Sequence, residues 1–356
     1  MPRANEAKTE NCPLDEIDRK LLTHLQSEFP LVPEPYVALG KRLGIPAAEV
    51  MSRIGCLRAG RYLRQISALF DARRLGYQST LVAMKLPPDR VEAGAAIINR
   101  HPGVSHNYQR THAYNLWFTL TVPPFQNLNE EVEHLAKAAR PERTLLLPAV
   151  KVFKIGVHLD LTGRGETTQR TYNPPPGPAF PLVDSPRLCA EEINAVRALQ
   201  QDLPLVPRPF HTLAQTYGTT EARLLAQARE FLRRGLMRRF AAVLNHRRAG
   251  FRANALGVWR VPEEQVDEVG AQMASFVAVS HCYQRPTYPD WPYSLFTMIH
   301  ARRSEECHAV AAAISRFTGI ADYELLFSTK EYKKVRVQYF RENVDADELD
   351  KETLGR

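Results

Sequence analysis

The heptapeptide VSHNYQR, residues 104–110, recurs almost unchanged as VSHCYQR, residues 279–285. A second pair of matching stretches lies at nearly the same separation, because FPLVPEPYVALGKRLG (29–44) is similar to LPLVPRPFHTLAQTYG (203–218). This period is far longer than the repeat of a solenoid protein. The sequence therefore predicts a tandem duplication, in which each half of the 356-residue chain holds the same pair of domains.

The beginning of each half has the pattern of three short helices. In the first half, LDEIDRKLLTHLQSEF (14–29) places its apolar residues on one helical face. Two shorter helical stretches follow, separated by Gly44, which can end a helix, and Pro46, which can begin one. The alternating stretch YLRQISALFD (62–71) comes next and is predicted to be a strand. Three helices and a wing strand are the outline of a winged helix-turn-helix domain.

The rest of each half has the order of a ferredoxin-like domain, β-α-β-β-α-β, beginning at GYQSTLVAMKLP (76–87) and again at RANALGVWRVP (252–262). The predicted fold class is α+β: a tandem duplication of a winged helix-turn-helix and a ferredoxin-like domain, with the two sheets packed against each other. The predicted segments are winged helix-turn-helix domains at 14–70 and 187–244, ferredoxin-like domains at 71–161 and 245–341, a linker at 162–186 and a flexible tail at 342–356.

Composition and charge limit the classes of function. The chain carries 47 basic and 39 acidic residues, a net charge of +8, which favours an anionic partner without choosing between nucleic acid and a small polyanion. The five cysteines are scattered and form no CxxC pair, which argues against a zinc site and a disulfide framework. The sequence has no secretory signal pattern and no stretch that could span a membrane. We therefore expect a cytoplasmic protein with no membrane contact and no metal site.

The helix-turn-helix pattern suggests DNA binding, but the residues of its second helix argue against it. PAAEVMSRIGCLRAG (46–60) offers two arginines and few of the amide or lysine side chains that read base edges. Its counterpart TTEARLLAQAREFLRRG (219–235) has four arginines, interrupted by Glu221 and Glu230. We expect these helical domains to serve packing, and DNA not to be the main partner.

Each copy of the repeated heptapeptide places a histidine, a tyrosine and an arginine on one face of a strand, because alternate residues of a strand point the same way. These two triads are His106, Tyr108 and Arg110, and His281, Tyr283 and Arg285. A solvated strand edge could explain one triad, but two copies favour a ligand site. Arginine can bind a carboxylate through two parallel hydrogen bonds, and histidine exchanges a proton near neutral pH.

Aromatic residues near both triads supply flat apolar surface. They include Trp117, Phe118, Trp291, Tyr293 and Phe296. Together with the arginines, they suit a planar, apolar ligand ringed by carboxylates. No glycine-rich phosphate loop, Ser/His/Asp pattern or metal-ligand spacing accompanies them.

The order of the domains resembles that of the Lrp/AsnC transcription factors. Two strings, HPGVSHNYQRTHAYNLWFTL (101–120) and VSHCYQRPTYPDWPYSLFTMIH (279–300), are more specific and are similar to those of the siroheme decarboxylases, an enzymatic branch of that superfamily. Some members consist of two separate subunits, and this chain resembles the fused form. The resemblance implies loss of carbon dioxide from two acetate groups of siroheme. The product, 12,18-didecarboxysiroheme, leads to heme d1 or, by an alternative route, to heme.

The resemblance also implies roles for individual residues. His106 and His281 occupy the family's positions for protonating the carbon that loses carbon dioxide, with Tyr108 and Tyr283 as further catalytic candidates. The implied substrate-binding residues are Arg110, Arg285, Tyr114, Trp117, Trp291 and Tyr293. No added cofactor is implied, because siroheme is the substrate and brings its own iron. We expect one pseudo-twofold cavity between the halves, with the halves unequal in activity.

The expected partners are siroheme and its decarboxylated product, together with homologous decarboxylase subunits or a second copy of this chain. Two other functions stay open at this point. One is a heme- or tetrapyrrole-responsive regulator that binds DNA through the helical domains. The other is a catalytically silent partner of a separate decarboxylase. Loss of carbon dioxide from siroheme in the presence of the pure protein would distinguish the enzyme from both.

Overall fold

A computed structural model of the chain describes residues 14–27, 29–155, 188–244 and 253–341. The first half contains α1 (Glu16–Ser27), α2 (Pro35–Leu43), α3 (Ala47–Ala59), β1 (Leu63–Phe70), β2 (Gln78–Lys85), α4 (Val91–Arg100), β3 (Val104–Arg110), β4 (Leu116–Val122), α5 (Leu128–Ala139), β5 (Arg143–Pro148) and β6 (Lys151–Ile155). The second half contains α6 (Ala190–Leu199), α7 (Pro209–Thr216), α8 (Glu221–Arg233), β7 (Met237–Leu244), β8 (Ala253–Trp259), α9 (Val266–Ala274), β9 (Val279–Gln284), β10 (Leu295–Ala301), α10 (Ser304–Thr318) and β11 (Tyr323–Lys334).

The predicted linker (162–186) and tail (342–356), and the domain boundaries at 161 and 245, lie outside the described residues. Within these residues, no helix is long and apolar enough to cross a membrane.

The two helical domains share one hydrophobic core. Leucines of α1 and aromatic residues of α7 and α8 are buried in the same cluster. In the first half, Gly44 has a φ of 71°, a left-handed conformation that suits glycine and ends α2 as predicted. Each predicted wing strand forms, but its partner is the wing of the other half, because β1 pairs antiparallel with β7. The wings therefore join the halves.

Each half also forms a four-stranded ferredoxin-like sheet. The strand orders are β5-β2-β4-β3 in the first half and β11-β8-β10-β9 in the second. The long strand β11 pairs with β8 through Tyr323–Phe327 and then with β3 of the other half. On the opposite side, β6 pairs with β9. The first and last strands of this nine-stranded arrangement, β5 and β6, are consecutive in the chain, so the two sheets are joined along both sides.

Three hydrophobic layers hold this part of the molecule together. Helices α4 and α5 cover the outer face of the first sheet, and α9 and α10 cover the outer face of the second. The inner faces meet in a third cluster, to which both halves contribute, with the rings of Trp117 and Trp291 5.4 Å apart. The predicted α+β class is confirmed, with the two sheets facing each other.

Candidate active site

A cavity of about 480 Å³ lies between the two sheets and is lined by both halves. Both repeated triads stand on its wall, so the structure brings seven of the ten predicted site residues together. They are His106, Tyr108, Arg110, Trp117, His281, Tyr283 and Arg285. The cavity is the pseudo-twofold site that the duplicated sequence predicts.

The side chains of each triad stack in a row along their strand. On β3, the rings of His106 and Tyr108 are 6.1 Å apart with an interplanar angle of 30°, and the guanidinium carbon of Arg110 lies 5.6 Å from the centre of the tyrosine ring. On β9, the corresponding distances are 6.0 Å and 4.8 Å. The same strand alternation therefore builds the same surface twice.

Each of the two triad arginines, Arg110 and Arg285, is hydrogen-bonded to a backbone carbonyl of the other half. Nη1 of Arg110 donates to the carbonyl of Leu326 in the second half, at 2.9 Å, and Nη1 of Arg285 donates to the carbonyl of Leu147 in the first half. Neither Nε atom has a partner in the part of the chain that the structure describes. Burial lowers the pKa of each guanidinium to about 10, so both remain charged near neutral pH. Buried cations with unused donors favour an anionic ligand.

Sequence reasoning missed three further cations on the cavity wall, Arg73, Arg238 and Lys334. The only acidic residue among those that line the cavity is Asp71, which accepts a 2.8 Å hydrogen bond from Arg238. Arg73 lies in the stretch DARRLGY (71–77), which is similar to NHRRAGF (245–251), and this repeat could have drawn attention to it. Arg238 belongs to a wing strand, so its direction depends on how the halves pack.

Both histidines contact the serine that precedes them. Nδ1 of His106 lies 3.0 Å from Oγ of Ser105, and Nδ1 of His281 lies 2.8 Å from Oγ of Ser280. Burial, followed by the nearby Lys334, lowers the pKa of His106 to about 4. Burial lowers the pKa of His281 to about 3, with neighbouring positive groups acting in the same direction. Both imidazoles are therefore neutral near pH 7 in the protein alone.

Three predicted substrate-binding residues, Tyr114, Trp291 and Tyr293, do not line the cavity. The two tyrosine hydroxyls donate to carboxylates outside it, that of Tyr114 to Asp290 at 2.7 Å and that of Tyr293 to Glu324 at 2.5 Å. The three rings precede β4 and β10 and pack on one another behind Trp117. The sequence indicated aromatic residues between the sheets, but it could not separate those that pack from those that face the cavity.

In each helix-turn-helix domain, arginines at the second helix, α3 or α8, form ion pairs with acidic residues of the same protein. On α3, Arg53 lies 2.7 Å from Asp15, and Arg58 lies 2.9 Å from Asp202 of the other half. On α8, Arg233 pairs with Glu230, and Arg234, which directly follows the helix, pairs with Glu192. The paired wings connect the two helical domains. These contacts support the predicted packing role of these domains.

Comparisons with known proteins agree with this architecture. Residues 74–154 and 248–333 match a family model described as an AsnC-like ligand binding domain. Residues 18–64 and 192–238 match one described as a siroheme decarboxylase NirDL-like HTH domain.

Some relatives match nearly the whole chain, and others match about two fifths of it. A siroheme decarboxylase of Hydrogenobacter thermophilus is 42% identical over 332 residues, 92% of this chain and 96% of that protein. A siroheme decarboxylase beta subunit of Methanosarcina barkeri is 44% identical over 147 residues, 41% of this chain and 97% of that protein. The solved structure of the siroheme decarboxylase NirDL in co-complex with an iron-uroporphyrin III analogue is 37% identical, with a TM-score of 0.70 over 92% of this chain and 95% of that one. The family resemblance predicted from the two histidine strings is confirmed, and the chain belongs to the siroheme decarboxylase family.

Proposed function

We propose that this protein removes carbon dioxide from two acetate side chains of siroheme, giving 12,18-didecarboxysiroheme for heme d1 or heme synthesis. The observation that carries the proposal is the cavity between the sheets. It combines two histidine–tyrosine–arginine triads with three more cations and a single carboxylate. Because siroheme is a planar macrocycle ringed by carboxylates, its charge complements that of the cavity wall.

Binding of the substrate falls to the arginines and the apolar wall. The Nε atoms of Arg110 and Arg285 are buried and have no partner among the described residues, although the Arg285 side chain as a whole is only partly buried. A carboxylate would therefore satisfy these preorganised donors at little entropic cost. Trp117, Phe296 and Leu256 supply apolar surface for the macrocycle. The iron-uroporphyrin III analogue in the solved NirDL complex is also a tetrapyrrole, which supports this class of ligand.

The chemistry needs an electron sink and a proton. The bond between the acetate methylene and its carboxylate breaks, the electron pair stays on the methylene, and the macrocycle delocalises it. A proton then joins that carbon to form a methyl group. We assign this proton transfer to His106 or His281, with Tyr108 and Tyr283 beside them. The substrate supplies its own iron, and we propose that the reaction requires no added cofactor.

The separate beta subunit of Methanosarcina barkeri is about as long as one half of this chain, which supports the idea that one chain supplies both halves of a site. We also propose that the chain associates with homologous subunits or with a second copy of itself, and the mass of the native complex tests this. We propose a cytoplasmic location because the cysteines are scattered and four of them are free thiols among the described residues, which suits a reducing compartment.

The test is to incubate the purified protein with siroheme under anaerobic conditions and to follow the mass of the tetrapyrrole. We expect two successive losses of carbon dioxide. Stable binding without a change of mass would contradict an enzymatic role. Activity that appears only after a separate decarboxylase subunit is added would identify a silent partner, and a salt-sensitive mobility shift of promoter DNA would favour a regulator.

A further inference from the structure

The second half contains a chain of hydrogen bonds that begins at His281 and runs along the cavity wall, which His300 and Asn254 also line. Oγ of Ser280 lies 2.8 Å from Nδ1 of His281 and 2.8 Å from Nε2 of His300. Nδ1 of His300 lies 2.6 Å from Oδ1 of Asn254. Resting on the proposed function, we infer that His300 is a positioning residue that passes a proton through Ser280 to His281, which makes the second half the one that protonates the substrate.

The donors and acceptors of this chain fix the direction of each hydrogen bond. An amide oxygen only accepts, so Nδ1 of His300 carries a hydrogen. When His300 is neutral, its Nε2 accepts the hydroxyl hydrogen of Ser280 at 2.8 Å, in preference to the carbonyl of Met298, which lies 3.3 Å from the same hydroxyl. The oxygen of Ser280 then accepts the hydrogen on Nδ1 of His281. In this state Nε2 of His281, the nitrogen left for the substrate, carries no hydrogen.

Protonation of His300 reverses the chain. Nε2 of His300 then donates to Ser280, Ser280 donates to Nδ1 of His281, and Nε2 of His281 carries a hydrogen. Transfer of that hydrogen to the methylene carbon is balanced by one proton moving from His300 to Ser280 and one from Ser280 to His281. His300 ends neutral, and His281 is never charged. The relay therefore agrees with the burial of His281, which strongly disfavours its charged form.

The first half lacks this relay. Thr121 pairs with Ser79 in the first sheet, and His300 pairs with Asn254 at the matching position of the second. Oγ1 of Thr121 donates to Oγ of Ser79 at 3.0 Å, so no second imidazole stands at this position behind His106. His106 keeps its contact with Ser105, but among the described residues no second imidazole is hydrogen-bonded to that serine.

The charged groups around the two histidines also differ. His281 is influenced by His300, His106, Arg238 and Arg285, all of which disfavour a positive charge on it. His106 is influenced by Lys334 and Arg64, which disfavour its charge, and by Glu331, which favours it. A relay that places the positive charge on His300 and keeps His281 neutral is therefore most useful in the second half.

The state of His281 can be measured without substrate. In protein labelled with ¹⁵N-histidine, lowering the pH should protonate His300 and change the tautomer of His281 from Nδ1–H to Nε2–H. In His300→Gln, whose amide still reaches Ser280 but cannot be protonated, the tautomer should not change with pH. A tautomer of His281 that responds equally in both proteins would overturn the relay, whether or not the protein is active.

The catalytic role is measured by single-turnover release of carbon dioxide from bound siroheme. For His300→Gln and Ser280→Ala, we expect the rate at saturation to fall at least about tenfold, part of the effect of a general acid, with little change in affinity. The double variant should be no slower than the slower single variant, because both residues act on one path. Thr121→Val, at the matching position of the first half, should stay within about twofold of the unchanged protein.

These measurements distinguish failure of the relay from failure of the proposed function. An unchanged protein that releases no carbon dioxide contradicts the proposed function, while the tautomer measurement still tests the relay. An active protein in which His300→Gln keeps the full rate contradicts the relay alone. Equal losses of rate, affinity and stability in His300→Gln would assign His300 to packing.

Discussion

Arg110 and Arg285 each donate one hydrogen bond to a carbonyl of the other half, and the Nε atom of each has no partner among the described residues. Replacing either with alanine should weaken the binding of siroheme about tenfold or more, since a hydrogen bond to a charged group contributes roughly 1.5–3 kcal/mol. Titration of siroheme absorbance measures the affinity. Arg260→Ala, which removes an exposed arginine paired with Asp322 away from the cavity, is the control. Unchanged affinity in both cavity variants would show that these arginines do not bind the substrate.

His106 and His281, the proposed proton donors, should not be equivalent. His281→Ala should lose roughly a hundredfold or more of the rate at saturation, the scale of a general acid, while siroheme still binds. His106→Ala should retain a larger part of the rate, because no imidazole relay stands behind His106. Single-turnover kinetics separate rate from affinity. Full rates in both variants would move the proton donor to Tyr108 or Tyr283.

At the scale of residues, the sequence predicted the cavity residues that belong to the repeated heptapeptide. It missed those that reach the cavity only through the packing of the two halves. The triads could be predicted because strand alternation alone places their side chains on one face. Arg238 and Lys334 could not, because they reach the cavity only after the wings and β11 have paired across the halves. Trp291 could not be assigned to packing either, because an aromatic residue between two sheets suits both roles.

Strand β6 carries a first-half side chain into the core of the second half. Phe153 on β6 packs on Gly270 of α9, where an added Cβ would lie 2.6 Å from both Cε atoms of the ring. Gly270→Ala should therefore lower the free energy of unfolding by roughly 1–3 kcal/mol, the usual cost of overpacking. Denaturation in urea measures the change.

Gly55→Ala is the matched control, because its Cβ would meet only one side-chain carbon, at 3.7 Å, inside helix α3. It should raise stability by roughly 0.5–1 kcal/mol, since alanine is the better helix former. Adding Phe153→Leu to Gly270→Ala should recover part of the loss. If Gly270→Ala were as stable as Gly55→Ala, β6 would not be packed on α9 as described.

The order of elements within each half followed from periodicity and turn residues, but the pairing between halves did not. A strand pattern predicts which face is apolar and not which distant strand lies beside it. The sequence pattern of RTLLLPAVKVFKIGVHLDL (143–161) is strand-like. Its described part is interrupted after Pro148, and the second strand, β6, crosses to the other sheet. The crossing depends on the free edge of β9, and that edge exists only once the second half has folded.

For the whole molecule, the buried histidines predict a loss of stability in mild acid. The unfolded chain binds a proton at each histidine with a pKa near 6.5, whereas the folded protein does so only near pH 4 at His106 and pH 3 at His281. The unfolded state therefore gains protons first, and stability falls as the pH drops from about 6.5 towards 4. Because one pKa unit corresponds to about 1.36 kcal/mol, the full loss of stability is roughly 3 kcal/mol for His106 and roughly 5 kcal/mol for His281, reached only below their folded pKa values. Urea denaturation at several pH values between 7.5 and 5 measures the slope.

A double variant, His106→Gln with His281→Gln, should have a shallower slope over this range. Burial also lowers the pKa of His101 and His112, so part of the slope should remain. An unchanged slope would mean that the two cavity histidines are solvated in the folded protein.

Separating the two halves tests the architecture as a whole. Each half alone would expose the wing strand, the edge of β3 or β9 and the inner aromatic face that its partner covers. Exposed edges and apolar faces favour association. A chain cut between residues 156 and 187 and produced as single halves should therefore aggregate or form dimers of one half.

Produced together, the halves should form a one-to-one complex that binds siroheme, because the cavity needs both triads and each arginine is anchored on the opposite half. Native mass and siroheme titration of the three preparations measure this. A stable monomeric half that binds siroheme as tightly as the whole chain would show that the site does not require the pairing.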